Sequence, residues 1–496
     1  MAQEKPKAVR VAVGRALAAW VLAMSIAGCA QNVKPDLARM YRIMTGVAAD
    51  ANDLVPGDPE RDRAVGRHAA TPVILIPGLF GSKLRHRGTG EEAWPGTWRQ
   101  VLFGDYHELA LRFDPDTLEV IPDDLEAFDV AEQVLGQDYY GPIVDALRNY
   151  AGYERGVPGT PATRDQRRYY VFAYDWRQDN VTHAKALEAL IDAIRRDYGD
   201  PQLRVDIIAH SMGGLIARYY LRYGTVDVLQ GSDELVTLYG TTRVRKLILL
   251  GTPNFGAVAS LHAFLAGEPI GLARIRPEVL ATMPSGYELF PHPLVSWLID
   301  SDGNALADDL FDAETWRRYR WSVFDPAAEA RIGSAGGVDG ARAVDTLHRY
   351  FGYRLERARR FAWMLSTPEP ATPIRYVLFG GNCAPTPAKL LLEKEGDRAN
   401  ARMYPDDVRD PKPGVRYDEL MLEPGDGRVT KPSLLARDTL DPTAPQLDES
   451  FLPLAYYFFL CERHDRLTSN LSFQDNLLNV LLARDLPWER MLPPGL

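Results

Sequence analysis

Short β-branched and aliphatic runs alternate with longer amphipathic ones along most of the chain, and turn residues separate them. Val73-Ile74-Leu75-Ile76, halted by Pro77-Gly78, predicts a strand with both faces covered. Tyr169 to Ala173 predicts a second. From Val181 to Tyr198, Ala184, Leu187, Leu190, Ile191 and Ile194 recur at steps of three and four, with Glu188, Asp192 and Arg195 between them, which is the period of an amphipathic helix. Val205 to Ala209 reads as a strand, and Leu215 to Tyr223 as a helix ending at Gly224. Further strands are expected at Lys246 to Leu250, Ile374 to Phe379 and Leu452 to Leu460. Strands alternating with helices imply an α/β fold with a mostly parallel central sheet and helices on both faces.

Two long stretches break the pattern, about 83–163 and 258–372. Both are irregular in period and rich in aromatics, with Trp94, Trp98, Phe103 and Tyr106 in the first and Trp297, Trp316, Trp321 and Trp363 in the second. They read as insertions, a lid or lipid-binding segment and a cap, on one domain covering 71–496.

Composition narrows the function classes. The chain has 496 residues, 46% hydrophobic and 25% charged, which excludes a disordered or polytopic membrane protein. A net charge of -10 without a lysine-rich run argues against a nucleic-acid partner. The three cysteines, Cys29, Cys383 and Cys461, offer no CxxC metal spacing, and no metal or organic cofactor is expected.

The N-terminus changes the picture. Lys5, Lys7, Arg10 and Arg15 precede the uncharged run Ala16 to Ala27. That run is shorter than the roughly twenty residues a bilayer demands, yet suits a secretory signal. It closes on Ile26-Ala27-Gly28-Cys29, which resembles a bacterial lipobox. Residues 1–28 are then a signal peptide, Cys29 the lipidated N-terminal residue and 29–70 a tether. Ala30 resembles outer-membrane lipoproteins. The expectation is an exported bacterial lipoprotein, anchored by lipid to a membrane surface, periplasmic or outward-facing, with Cys383 and Cys461 left to pair or stay free.

Chemistry concentrates at Ala209-His210-Ser211-Met212-Gly213, between a predicted strand and a predicted helix. A nucleophile elbow needs that context and small residues two positions either side of the serine. Ser211 is the candidate nucleophile, and the Met212 N–H an oxyanion donor at a helix N-terminus. The turn Pro77-Gly78-Leu79-Phe80-Gly81 offers the Leu79 N–H as the second donor. Serine needs a base, and the base a carboxylate. Among His262, His292, His348 and His464, only His464 follows the last strand, where this fold keeps its base. Asp426, between Gly425 and Gly427, is favoured as the acid over Asp406, Asp407 and Asp418. Phe80, Trp94 and Trp98 are candidates to touch substrate, and Trp94, Trp98, Leu102 and Phe103 to form a mobile, lipid-touching lid.

Several of these stretches together resemble the lecithin:cholesterol acyltransferase family, with its lysosomal phospholipases and bacterial lipases. The resemblance lies in Val73 to Gly78 with Gly81-Ser82-Lys83-Leu84, in Tyr174-Asp175-Trp176-Arg177, in His210-Ser211-Met212-Gly213, in Gly251-Thr252-Pro253-Asn254-Phe255-Gly256, and in Gly425-Asp426-Gly427 with His464. It implies an α/β-hydrolase with a cap, acting on acyl esters of lipids as a serine hydrolase or O-acyltransferase. Ala209 stands where the family has glycine, Arg428 where it has a small polar residue, and the first insertion lacks the lid cysteine pair of animal members. Asp175 and Arg177 read as a buried, paired support rather than as catalysts. The competing functions are a carboxylesterase for small esters and an inactive lipid-binding surface lipoprotein. Oligomeric state is not legible.

Overall fold

The longest apolar runs assemble side by side. A computed structural model describes residues 70–482, apart from 98–103, 135–136, 232–234, 368–369, 371, 396–397 and 438–451. Chain contacts divide the protein into Met1–Leu54 and Val55–Leu496, and everything described lies in the second unit. The signal peptide, Cys29, the tether and Trp98, Leu102 and Phe103 lie outside the described residues.

Seven strands form one parallel sheet: β1 (Val73–Ile76), β2 (Glu154–Arg155), β3 (Arg168–Val171), β4 (Val205–His210), β5 (Val244–Leu250), β6 (Arg375–Gly381) and β7 (Leu454–Leu460). Their spatial order is β7-β6-β5-β4-β1-β3-β2. Every residue of β1 and β4 is buried, because helices cover both faces of the sheet centre. The edge strand β7 is mostly part-exposed. This is the α/β-hydrolase arrangement.

The helices that fix the site follow from local signals. α1 (Gly141–Asn149) begins with a proline in its first turn. α2 (Asn180–Asp197) buries Ala184, Leu187, Ile191 and Ile194, and Asp179 caps it by accepting from the Val181 N–H at 2.9 Å. α3 (Met212–Tyr223) is buried at all twelve positions, so it is a core helix rather than an amphipathic one. Its interior arginines reach out of the helix: Arg218 donates to Asn254 Oδ1 in the turn after β5 and to Leu365 O of the cap, and Arg222 donates to Thr367 O.

Both carbonyls lie at the end of α4 (Gly340–Ser366), the 27-residue helix that spans the cap. Arg357 on α4 pairs with Asp179 at 2.6 Å and Asp227 at 2.9 Å, binding the cap to the capping residue of α2. Beside them Glu288 is buried and accepts from Asn180 N–H; burial and neighbouring Asp179 push its pKa well up. Trp297, Trp316 and Trp321 pack into this cap as core.

The first insertion folds into small antiparallel ladders, the largest joining Glu92–Trp94, Ser82–His86 and Leu125–Val130. It returns to the sheet early, since α1 and β2 precede residue 163. Between β6 and β7 lies an excursion that periodicity did not resolve. Ala384–Pro387 pairs antiparallel with Leu422–Gly425, and the chain between them adds a three-stranded sheet with Leu298–Ile299. That closed ladder returns the chain to the tip of β6, with Asp426 next in line.

Candidate active site

Ser211 occupies the turn between β4 and α3 with φ 51° and ψ -125°, a left-handed backbone that a non-glycine residue adopts only when its surroundings impose it. They do. Ser211 N–H donates to Leu250 O at 2.8 Å. A Cβ on Gly213 would lie 2.6 Å from Pro77 O and 2.8 Å from Ile76 Cγ2, so α3 packs against the end of β1 only through a glycine. A Cβ on Gly214 would overlap Thr252. Gly213→Ala is therefore expected to cost about 2–3 kcal/mol in unfolding free energy, because β1 backbone cannot yield. A denaturant midpoint within error of wild type would contradict this packing.

Asp426 reaches the same space from the ladder after β6. Its Oδ1 accepts from the Arg428 N–H at 2.9 Å and the Val429 N–H at 2.7 Å, and its own carbonyl accepts from His464 N–H at 2.9 Å. Gly381 has no room for a side chain, since a Cβ there would lie 2.7 Å from Asp426 Cβ. Asp426 is 1% exposed. Its remaining oxygen, Oδ2, lies 2.7 Å from His464 Nδ1, and His464 Nε2 lies 3.0 Å from Ser211 Oγ. A carboxylate only accepts, so Nδ1 carries the proton and Nε2 presents its lone pair to the hydroxyl. The structure thus brings Ser211, Asp426 and His464 together from three distant points of the chain. The rivals fall elsewhere. Asp406 and Asp407 sit in the turn Pro405–Asp407 and Asp418 in the short helix Tyr417–Met421. His292 stacks on Phe255, and His348 packs at a tilt against Phe324.

A disulfide joins Cys383, just past β6, to Cys461, three residues before His464. It spans a separation of 78 residues and clamps the segments that deliver the acid and the imidazole. Closing a loop of that size stabilises the fold by about 4 kcal/mol in the chain-entropy account. The Cys383→Ser/Cys461→Ser variant should lose about 3–4 kcal/mol in urea unfolding, and a loss below about 1 kcal/mol would show that the native fold gains little from the link.

The turn after β1 completes the rim. Gly81 N–H donates to Gly78 O at 3.0 Å, and Phe80 at its third position has φ 63°. A left-handed third residue marks a type II turn and costs a non-glycine about 1 kcal/mol. Trp94 Nε1 holds the turn by donating to Phe80 O at 2.8 Å. Among the described residues, neither the Leu79 nor the Met212 N–H donates to a backbone carbonyl. Met212 is the first residue of α3, so its N–H has no partner within the helix.

Trp94 departs from the lid expectation. It is 2% exposed, packed against Phe80, Tyr106 and Trp176, while one part of it lines the cavity. Aromatic content in an irregular segment does not distinguish a lid tip from a packed wall. Trp98 lies outside the described residues.

In Tyr174-Asp175-Trp176-Arg177, the two aromatic residues bond to this rim and the two charged ones pair behind it. Tyr174 donates to Pro77 O at 2.7 Å and Trp176 to Ser82 O at 3.1 Å. Arg177, fully buried, forms two-pronged pairs with Asp123 and Asp175.

A cavity of about 340 Å³ opens at Ser211 and His464. Ala257, Phe264, Leu280, Met283, Leu289 and Val429 give it an apolar wall. Glu268, Arg428, Arg463 and Asp465 form its charged part, where Arg428 pairs with Glu268 at 2.9 Å. Among the described residues, no group of three or more His, Cys, Asp or Glu side chains is arranged to hold a metal ion.

Residues 163–314 match the sequence profile described as Lecithin:cholesterol acyltransferase. The likeness is to the lecithin:cholesterol acyltransferase family. Among curated proteins, "Lysosomal phospholipase A and acyltransferase" of Homo sapiens is 24% identical over 267 residues, covering 45% of this chain and 57% of that protein. The Bos taurus protein of the same name is 28% identical over 149 residues, covering 29% of this chain and 30% of that one. The matches thus span from under a third to just over half of those relatives. A chain solved in the crystal structure of the Tle4-Tli4 complex has a TM-score of 0.54 at 15% identity, covering 84% of this chain and 98% of that one, which is a likeness of fold.

The family match includes Ser211 but stops before Asp426 and His464. Two departures from the lecithin:cholesterol acyltransferase pattern gain a physical reading. Ala209 is completely buried, and its single methyl is accommodated in β4. Arg428 turns outward to Glu268, leaving only its backbone N–H on Asp426. One residue at the site escaped the sequence reading: Tyr140, whose hydroxyl lies between Gly78 and His210. Tyr140 lies in the stretch read only as an irregular insertion, and no local pattern announces a hydrogen bond spanning 70 residues.

Proposed function

We propose that the protein is a serine acyl hydrolase or O-acyltransferase acting on acyl esters of lipids, a phospholipid or an acylglycerol. The observation that carries the reading is the continuous Ser211–His464–Asp426 hydrogen-bond chain, 3.0 and 2.7 Å long, at the mouth of an apolar-walled cavity. His464 Nε2 takes the proton as Ser211 Oγ bonds to the ester carbonyl carbon. The N–H groups of Leu79 and Met212 receive the developing oxyanion, a contribution of about 3–4 kcal/mol per donor. The tetrahedral intermediate collapses, the carbon–alkoxy bond breaks, and the departing alcohol takes the proton from Nε2. Water or a second alcohol then attacks the acyl carbon, giving its proton to His464; the carbon–Oγ bond breaks, the fatty acid or new ester leaves, and His464 returns the proton to Ser211 Oγ. The apolar wall suits an acyl chain, and the likeness to proteins named phospholipase and acyltransferase favours lipid esters.

The test is mass spectrometry after a fluorophosphonate probe, followed by a substrate screen. Wild type should gain the adduct on Ser211 and release fatty acid from phospholipid or acylglycerol vesicles, with Ser211→Ala inert in both. Labelling that persists in Ser211→Ala overturns the assignment. Turnover of short soluble esters alone would favour a small-ester carboxylesterase, and an unlabelled wild type the inactive lipid-binding protein.

The reading includes a membrane surface as partner, reached through lipid on Cys29 after export as a bacterial outer-membrane lipoprotein. Its support is the basic, apolar, small-residue, cysteine order at the N-terminus. Radiolabelled palmitate should enter the wild-type chain and not Cys29→Ala; equal labelling would remove the anchor from the account.

A further inference from the structure

The Tyr140 hydroxyl lies 2.8 Å from Gly78 N and 2.8 Å from His210 Nδ1, beneath the turn that carries Leu79. The ring is 2% exposed. A backbone N–H only donates, so Oη accepts from Gly78 and has its own proton to give. With Gly78 N–H donating to Oη, His210 Nδ1 is the neighbour placed to take the hydroxyl proton, in the tautomer that leaves Nδ1 unprotonated. Burial, then the neighbouring His464, press the His210 pKa down to about 3, so the imidazole is neutral and Nδ1 can accept. Burial raises the Tyr140 pKa, so the phenol keeps its proton.

The glycines of the turn are fitted to this hydroxyl. A Cβ on Gly81 would lie 2.8 Å from Tyr140 Oη, and one on Gly78 would lie 3.3 Å from His210 Nδ1 and 2.8 Å from Ser211 Cβ. Gly78 is thereby held at both ends, its N–H by Tyr140 and its carbonyl by the Gly81 N–H. The Gly78–Leu79 peptide is planar and trans, so a fixed Gly78 carbonyl fixes the Leu79 N–H in the opposite direction.

We propose that Tyr140 is a positioning residue, aiming the Leu79 N–H at the oxyanion through the relay Gly78 N–H to Tyr140 Oη–H to His210 Nδ1. The relay crosses three elements: the turn after β1, the start of α1, and the residue just before Ser211. It ties the two halves of the oxyanion site to one hydroxyl. The inference rests on the esterase reading of the same site.

Tyr140→Phe removes the hydroxyl and keeps the ring. With a soluble short-chain ester, kcat should fall about ten- to a hundredfold while KM stays within about twofold, because the donor acts on the transition state. Inhibition by a trifluoromethyl ketone, whose adduct carries the oxyanion, should weaken in parallel. A lowered melting temperature with unchanged kcat and unchanged inhibition overturns the proposal. Should Tyr140→Phe not fold, His210→Asn is compared with His210→Leu. The asparagine oxygen falls near Nδ1 and can still accept, whereas leucine cannot. Near wild-type kcat in the first with loss in the second supports the relay, and equal kcat in both overturns it. A wild type that neither turns over the ester nor takes a fluorophosphonate on Ser211 would refute the esterase reading itself, which separates the two failures.

Discussion

Alanine in place of Ser211 or of His464 should lower kcat on a soluble ester about 10⁴- to 10⁶-fold, and the double variant should lose no more than either single one. The non-additivity is the sharper part of the expectation. With Oγ gone there is no acyl-enzyme, and the imidazole has nothing to deprotonate. With the imidazole gone, the hydroxyl keeps its proton at neutral pH, where serine is a poor nucleophile. The two side chains act as one unit across their 3.0 Å contact, so removing the second removes nothing further. In the proposed mechanism, what remains comes from the N–H groups of Leu79 and Met212 and from cavity binding, which survive both substitutions. Losses that multiply in the double variant would mean that the two residues work independently. Folding is a separate matter: Ser211 needs its strained backbone, and the β4–α3 turn is fixed by Leu250 O and Gly213 rather than by the hydroxyl, so melting temperature should barely move.

Different parts of the site were unequally legible in the sequence, and the reason is physical distance along the chain. β1, β4 and β5 are runs buried on both faces, so composition alone marks them, and Ser211 follows because the elbow is a local strand–turn–helix device. Asp426 was legible through its flanking glycines, which the structure explains by crowding: a Cβ on Gly425 would lie 2.3 Å from Val429 O, and Gly427 has φ 91°. β2 was not legible, because its two residues, Glu154 and Arg155, are polar and exposed and belong to the sheet only through pairing with β3. The bond between Cys383 and Cys461 stayed open, because nothing local shows that two strand ends 78 residues apart finish side by side. Trp94 and Tyr140 share that difficulty. Each bonds to the Gly78–Gly81 turn from a segment whose period carries no signal, Trp94 through Phe80 O and Tyr140 through Gly78 N.

Asp426→Asn should cost about 10⁴-fold in kcat while the fold and the cavity stay intact, and the hydrogen bonds around the carboxylate dictate why. Oδ1 of Asp426 accepts from two backbone N–H groups, those of Arg428 and Val429, so an amide NH₂ cannot occupy that place without facing two donors. The asparagine must therefore put its oxygen there and turn its NH₂ toward His464 Nδ1, 2.7 Å away in the native pair. An NH₂ group donates, so Nδ1 becomes the acceptor and the imidazole proton moves to Nε2. Nε2 then presents N–H rather than a lone pair to Ser211 Oγ, and the base can take no proton. Asp426→Ala, by contrast, leaves the imidazole free to choose its tautomer and its rotamer, and should lose less per turnover than asparagine while melting lower, since two backbone donors are left buried without a partner. The measurement is kcat with melting temperature for both variants, together with the rate of fluorophosphonate labelling at Ser211. Asparagine slower than alanine but more stable supports the tautomer argument; asparagine within tenfold of wild type would mean that the carboxylate neither orients the imidazole nor stabilises its charge.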